Sequence, residues 1–187
     1  MKQIIPEKSS EKVAKFLQKT SLHKRDFAEM IGVTLSYVYN LIDETVPFST
    51  RGTTIERIAT VMELKPDEFG EYRIPQEPIL IDESVETIKD YLKENKLSVV
   101  NFLKSFPRKK RLDVVDILRG ALPLPIDYKE LTLIGRTLNM PNEEIYKLWE
   151  SRLKQVLESA GMNIYSNSSL INSMFDCAKK HVLKNES

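Results

Sequence analysis

FAEMIGVTLSYVYNLI, residues Phe27–Ile42, decides how the rest of the chain is read. It joins two short segments of helical apolar period, Lys24–Met30 and Leu35–Ile42, across Ile31-Gly32-Val33. Gly32 permits the left-handed backbone that ends a helix. Thr34 is placed to cap the next helix by accepting a bond from its first free amides. In the second segment Val38, Leu41 and Ile42 share one helical face, leaving Leu35, Ser36, Tyr37 and Asn40 to point outward. The pattern predicts a helix, a tight glycine turn and a second helix with a small polar outward face. That is a helix-turn-helix.

Working outward, Glu11–Lys19 places Val13, Phe16 and Leu17 on one face and predicts a first helix. A polar loop, Asp43–Thr54, follows the motif. Ile55–Met62 then turns Ile55, Ile58, Ala59 and Met62 inward, and Lys65–Phe69 starts a closing turn with Pro66 at a helix start. Gly70–Glu83 contains Gly70, Pro75 and Pro78, and no helical period survives prolines at that spacing. The expected division is a first domain over 1–72, a linker over 73–83 and a second domain over 84–187.

Residues 11–69 resemble the Cro/phage-repressor (Xre) family of helix-turn-helix transcriptional regulators. Phe27-Ala28 stand where that family has Leu-Ala, Gly32-Val33-Thr34 stand at its turn, and Pro47 sits in its loop. Thr53–Phe69, TTIERIATVMELKPDEF, is similar to its fourth and fifth helices. His23 and Lys24 depart from the usual polar cap and Gln, and the loop Phe48–Thr54 is longer than usual. The resemblance implies a five-helix domain that reads double-stranded DNA, in a dimer, in a bacterial, phage or mobile-element setting.

Beyond the linker the apolar skeleton begins again. Shifted by about 75 residues, Val13, Phe16, Leu17, Leu22 and Phe27 fall on Ile88, Tyr91, Leu92, Leu97 and Phe102. After one extra residue Val38, Leu41 and Ile42 fall on Val114, Ile117 and Leu118, and Ile55, Ile58 and Ala59 on Leu131, Ile134 and Gly135. The expectation is a degenerate second copy whose turn glycine is lost, since Phe106-Pro107 precedes Arg108-Lys109-Lys110-Arg111 there. Two helices without counterparts follow. Glu143–Ala160 carries Ile145, Leu148, Trp149, Leu153, Val156 and Leu157, and about Ser168–Leu183 carries Leu170, Ile171, Met174, Phe175, Ala178 and Val182. The fold class expected is all-α, with this C-terminal pair packing on the second domain or forming a homodimer interface.

Composition sets wide bounds. At 187 residues, 41% hydrophobic and 29% charged, the chain reads as an ordinary globular protein able to bury one or two cores. No apolar run approaches the roughly 20 residues of a membrane span, and the N-terminus lacks the apolar stretch of a signal peptide. The single Cys177 rules out an internal disulfide and points to a reducing, cytoplasmic setting. A net charge of +1 is no coating of nucleic acid, but a local basic patch suffices for a site-specific binder.

The chemistry expected is recognition. Carried over by position from the resemblance, the base-reading residues are Thr34, Leu35, Ser36, Tyr37 and Asn40. Asn bonds adenine bidentately, and one such pair is worth roughly 1–3 kcal/mol of discrimination. Tyr39 is expected to pack. Lys24 and Arg25, at a helix start where free amides and dipole favour anions, are expected to anchor phosphate, with Arg51 from the loop. Arg108, Lys109, Lys110 and Arg111 are read either as a second contact to DNA backbone or as a solvated helix start. No catalytic or metal-ligand grouping accompanies His23 or His181, and Cys177 reads as a packed thiol, so neither enzyme activity nor a cofactor nor a metal is expected. The function expected is transcriptional regulation, with repression by promoter occupancy as its form. The alternative is a protein-interaction adaptor, an antitoxin or nuclease inhibitor that engages a protein partner through 84–187.

Overall fold

The computed structural model describes residues 7–74 and 83–184, with the side chains of 83 and 181–184 left aside. Among the described residues there are ten α-helices and no strand, so the fold is all-α. The helices are α1 (Ser9–Thr20), α2 (Lys24–Ile31), α3 (Leu35–Ile42), α4 (Gly52–Met62), α5 (Glu83–Glu94), α6 (Val99–Lys104), α7 (Arg108–Leu118), α8 (Tyr128–Thr137), α9 (Asn142–Ser159) and α10 (Ser168–Lys184). A single 3-10 turn, Pro66–Glu68, follows α4.

The chain divides into two compact units, and the division differs from the expected one at 73–83. One unit joins 7–74 to 96–122; the other joins 83–95 to 123–184. The segment carrying α6 and α7, expected in the second domain, packs with the first unit instead. The expected linker lies largely outside the described residues.

In the first unit the turn forms as its residues dictate. Gly32 caps α2 in the left-handed region at φ 71°. Thr34 caps α3, its Oγ1 accepting from the Tyr37 amide at 3.2 Å. Val13, Phe27, Val38, Leu41, Ile55, Ile58 and Ala59 are buried, as their periodicity requires. The most extensive helix pairing is α2 with α7. A Cβ built on Gly32 would lie 2.9 Å from both methyls of Leu112 on α7. Glycine is therefore needed at this position chiefly for its backbone angle, since the nearby Leu112 methyls are the far end of a flexible side chain from α7.

A buried ionic network ties α7 to α4. Arg57 donates from Nε and Nη2 to the two Asp116 oxygens at 2.8 Å each, the bidentate geometry of strong pairs. Arg119 donates to Asp116 Oδ1 at 2.7 Å and to Glu56 Oε2 at 2.6 Å. Tyr72 OH donates to the other Glu56 oxygen at 2.8 Å. Burial pushes the Asp116 carboxyl up, but the bonds from Arg57 and Arg119 outweigh it and hold the group below its ordinary range. Burial, with Glu56 beside it, pushes the Tyr72 hydroxyl up to about 12.

The second unit is built on α5, α8, α9 and α10. Leu131, Ile134 and Ile145 are buried between neighbouring helices, and a Cβ on Gly135 would sit 2.4 Å from Ile145 Cγ1, so α8 and α9 approach at a residue without a side chain. Trp149 gathers Tyr128, Tyr146 and Phe175 around it at centroid distances of 5.5, 5.6 and 6.3 Å and donates Nε1 to the Ile126 carbonyl at 2.9 Å. On α10 only part of the expected apolar set turns inward: Ile171 and Phe175 are buried, while Leu170 and Met174 are 63% and 64% exposed. Cys177 is exposed, correcting the expected packed thiol, because the face that α9 covers is set by Ile171 and Phe175. The Val182 side chain lies outside the described residues.

Among the described residues, non-glycine left-handed backbone recurs at a spacing of 75 to 76 positions. The left-handed residues Ser21 (φ 50°) and Glu63 (φ 58°) have counterparts at Lys96 (φ 51°) and Asn139 (φ 53°), where the shift places them. Gly32 has no counterpart, since α7 starts directly after Pro107.

Candidate nucleic-acid interface

The N-terminal end of α3 stands clear of the core. Thr34, Leu35, Ser36, Tyr39 and Asn40 are exposed, while Val38 and Leu41 anchor the helix from beneath. The two tyrosines exchange the roles expected of them. Tyr37 is half-buried, its hydroxyl donating to the Ser49 carbonyl at 3.2 Å, so it braces the loop after α3. Tyr39, expected to pack, is 53% exposed, with the Lys24 ammonium 5.2 Å from its ring centroid.

Beside this face lies an open groove of about 410 Å³, lined by His23, Lys24, Arg25, Asp26, Leu35, Tyr39 and Arg108. It brings together both expected phosphate anchors of α2, two residues of α3 and one residue of α7. His23, at the N-cap of α2, makes no side-chain cap. The first amides of α2 therefore lack a side-chain acceptor from that position, the arrangement that favours an anion. Arg51 is exposed at the N-cap of α4 and is not part of the groove lining. Asp43, just past α3, turns its carboxylate onto the Thr45 hydroxyl and amide at 2.7 and 2.9 Å, and these bonds hold its pKa down.

The basic run on α7 separates into different fates. Arg111 is buried, donating to Asp26 Oδ1 at 3.0 Å and from Nε to the Phe106 carbonyl at 3.2 Å. It is withdrawn from any backbone contact with DNA, a correction to its expected place, because α7 turns that side toward α2. Arg108 keeps a 56% exposed side chain and lies 3.5 Å from both Asp26 and Glu29. Lys109 is exposed and Lys110 half-buried.

Sequence reasoning missed the coupling between α2 and α7. Asp26 and Arg111 stand 85 positions apart, and nothing local marks them as partners. The same holds for Arg57 and Asp116, 59 positions apart. Among the described residues no cluster of three or more His, Cys, Asp or Glu side chains is placed to hold a metal ion, and no described helix is long and apolar enough to cross a membrane.

Comparison with protein-family models, with curated proteins and with solved structures finds no match.

Proposed function

We propose that the chain is a sequence-specific double-stranded DNA-binding regulator of transcription, with α2, the Gly32 turn and α3 acting as a repressor-like helix-turn-helix. The observation that carries the reading is the exposed start of α3, bearing Ser36 and Asn40, beside a groove that holds Lys24 and Arg25. A helix presented by its N-terminal end fits the major groove, where Ser and Asn bond base edges. Lys24 and Arg25 fix the register through phosphate, and Leu35 and Tyr39 supply apolar contact for a thymine methyl. Repression by occupying a promoter needs no further domain.

The test is binding of the purified chain to fluorescent duplexes drawn from a random pool. Asn40→Ala and Ser36→Ala are expected to weaken binding to the enriched sequence while leaving binding to unrelated duplex nearly unchanged. Equal loss on both kinds of duplex, or no binding by the unaltered chain at low salt, contradicts the proposal.

A second reading has its own observation. Leu170 and Met174 stand one helical turn apart on α10, both largely exposed, and Tyr165 before them is 87% exposed. Such apolar surface favours a protein contact, through the expected homodimer or through the partner of an adaptor. Met174→Lys separates it: an adaptor loses its partner, and a dimeric regulator loses self-association in sedimentation.

A further inference from the structure

The inference rests on the DNA-binding reading above and concerns what α7 adds to it. On its own, α2 is a poor phosphate surface. Lys24 and Arg25 share it with Asp26 and Glu29, and Glu29 already lies 3.7 Å from the Arg25 guanidinium. Two cations against two carboxylates leave no net attraction for a polyanion. The helix that packs on α2 changes this balance. Arg111 occupies Asp26 from behind, and Arg108 reaches the groove rim from the start of α7.

We infer that Arg108 is a third phosphate anchor of the DNA interface, supplied by α7 and acting beside Lys24 and Arg25. Its geometry separates it from a residue that merely completes an ion pair. Both of its carboxylate neighbours stand at 3.5 Å, beyond the roughly 2.7–2.9 Å of a charge-assisted hydrogen bond. Glu29 Oε2 accepts no hydrogen bond among the described residues, so Arg108 does not saturate it. A guanidinium carries five N–H donors in a planar fork that matches phosphate oxygens. Two long contacts, from Nη2 and Nε, orient one edge of the group without closing a short bidentate pair, and more than half of the side chain faces solvent. The carboxylates aim Arg108 and the groove receives the phosphate. The helix-turn-helix and the segment 96–122 thus form one binding surface, and deleting that segment removes part of the interface as well as part of the core.

The experiment is a salt titration of the full chain on a mixed-sequence 30-base-pair duplex, read by fluorescence anisotropy. Each phosphate contact contributes about 0.9 to the slope of log affinity against log salt. Arg108→Gln is expected to reduce the magnitude of the slope by about one and to weaken binding about five- to tenfold at 0.1 M salt. Glu29→Gln distinguishes contact from compensation. If Arg108 touches phosphate, the double variant Glu29→Gln with Arg108→Gln keeps the reduced slope. If Arg108 only cancels Glu29, the double variant returns to the original slope and affinity, and the inference is overturned. An unchanged slope in Arg108→Gln, with an unchanged melting temperature, also overturns it. Failure of the unaltered chain to bind any duplex at 50 mM salt sinks the DNA reading itself, which sets that failure apart from the failure of Arg108 alone.

Discussion

Under the repeat expected from the sequence, helices α3 and α7 would occupy matching places, and the two are used in opposite ways. Helix α3 enters from a left-handed glycine, is capped by Thr34 and leaves its N-terminal side chains in solvent. Helix α7 enters from Pro107 without a side-chain cap and buries Arg111, Val114, Val115, Asp116, Ile117 and Leu118. In the register of the repeat, exposed Asn40 corresponds to Asp116, a carboxylate held between Arg57 and Arg119. An aspartate there would repel phosphate if it faced outward, and inside it locks α7 to α4. Helix α3 keeps a free surface, whereas α7 is packed against α2 and α4.

The largest expected effect tests the lock. Asp116→Ala leaves the half-buried Arg57 guanidinium without its carboxylate, while Arg119 keeps Glu56, and should cost about 3–5 kcal/mol in urea unfolding, since removing one partner of a buried pair leaves uncompensated charge. The same network predicts a pH dependence of known sign. The folded carboxyl titrates below its ordinary 3.8, so its contribution is full above that value and is lost as pH falls through it toward the folded value. Stability of the unaltered chain should therefore drop on acidification below about pH 4, and an Asp116→Asn chain should show a shallower drop over the same window. Equal acid slopes would detach Asp116 from the lock.

A smaller effect is expected at the glycine turn between α2 and α3. Gly32→Ala places a side chain at φ 71° and against the Leu112 methyls. The methyls are the far end of a flexible side chain and yield cheaply, so the backbone term dominates, about 1–2 kcal/mol in thermal or urea unfolding. Adding Leu112→Ala should therefore recover little of it. Smaller again, Thr34→Ala removes the cap of α3 and should cost about 1 kcal/mol, with a matching loss of amide protection in the first turn of α3. The α7 start, with no side-chain cap to lose, has no equivalent variant.

The helices were legible in the sequence because each carries its own period. Gly32, Thr34, Val38 and Leu41 specify the turn and α3 locally, and the structure places them where that logic requires. The grouping of helices into units was not legible. Pro75 and Pro78 mark a break in helix, but where α6 and α7 pack depends on Leu112 against Gly32 and on Asp26 with Arg111, contacts between residues far apart in the chain. The run Arg108–Arg111 shows the limit most plainly. As a string it is one basic cluster, yet helical geometry turns Arg111 toward Asp26 and leaves Arg108 at the groove. Tyr37 and Tyr39 were assigned the reverse of their exposures because a half-turn of helix phase separates bracing from display.

The contrast between α3 and α7 is tested most directly by selecting bound sequences from a random duplex pool with three forms of the chain. These are the unaltered protein, Ser36→Ala with Asn40→Ala on α3, and Lys109→Gln with Asp113→Asn on the exposed side of α7. The account predicts an enriched motif whose base preferences degrade in the α3 variant, by roughly 1–3 kcal/mol at the positions read, and persist in the α7 variant. A motif that survives the α3 changes and shifts with the α7 changes would contradict it.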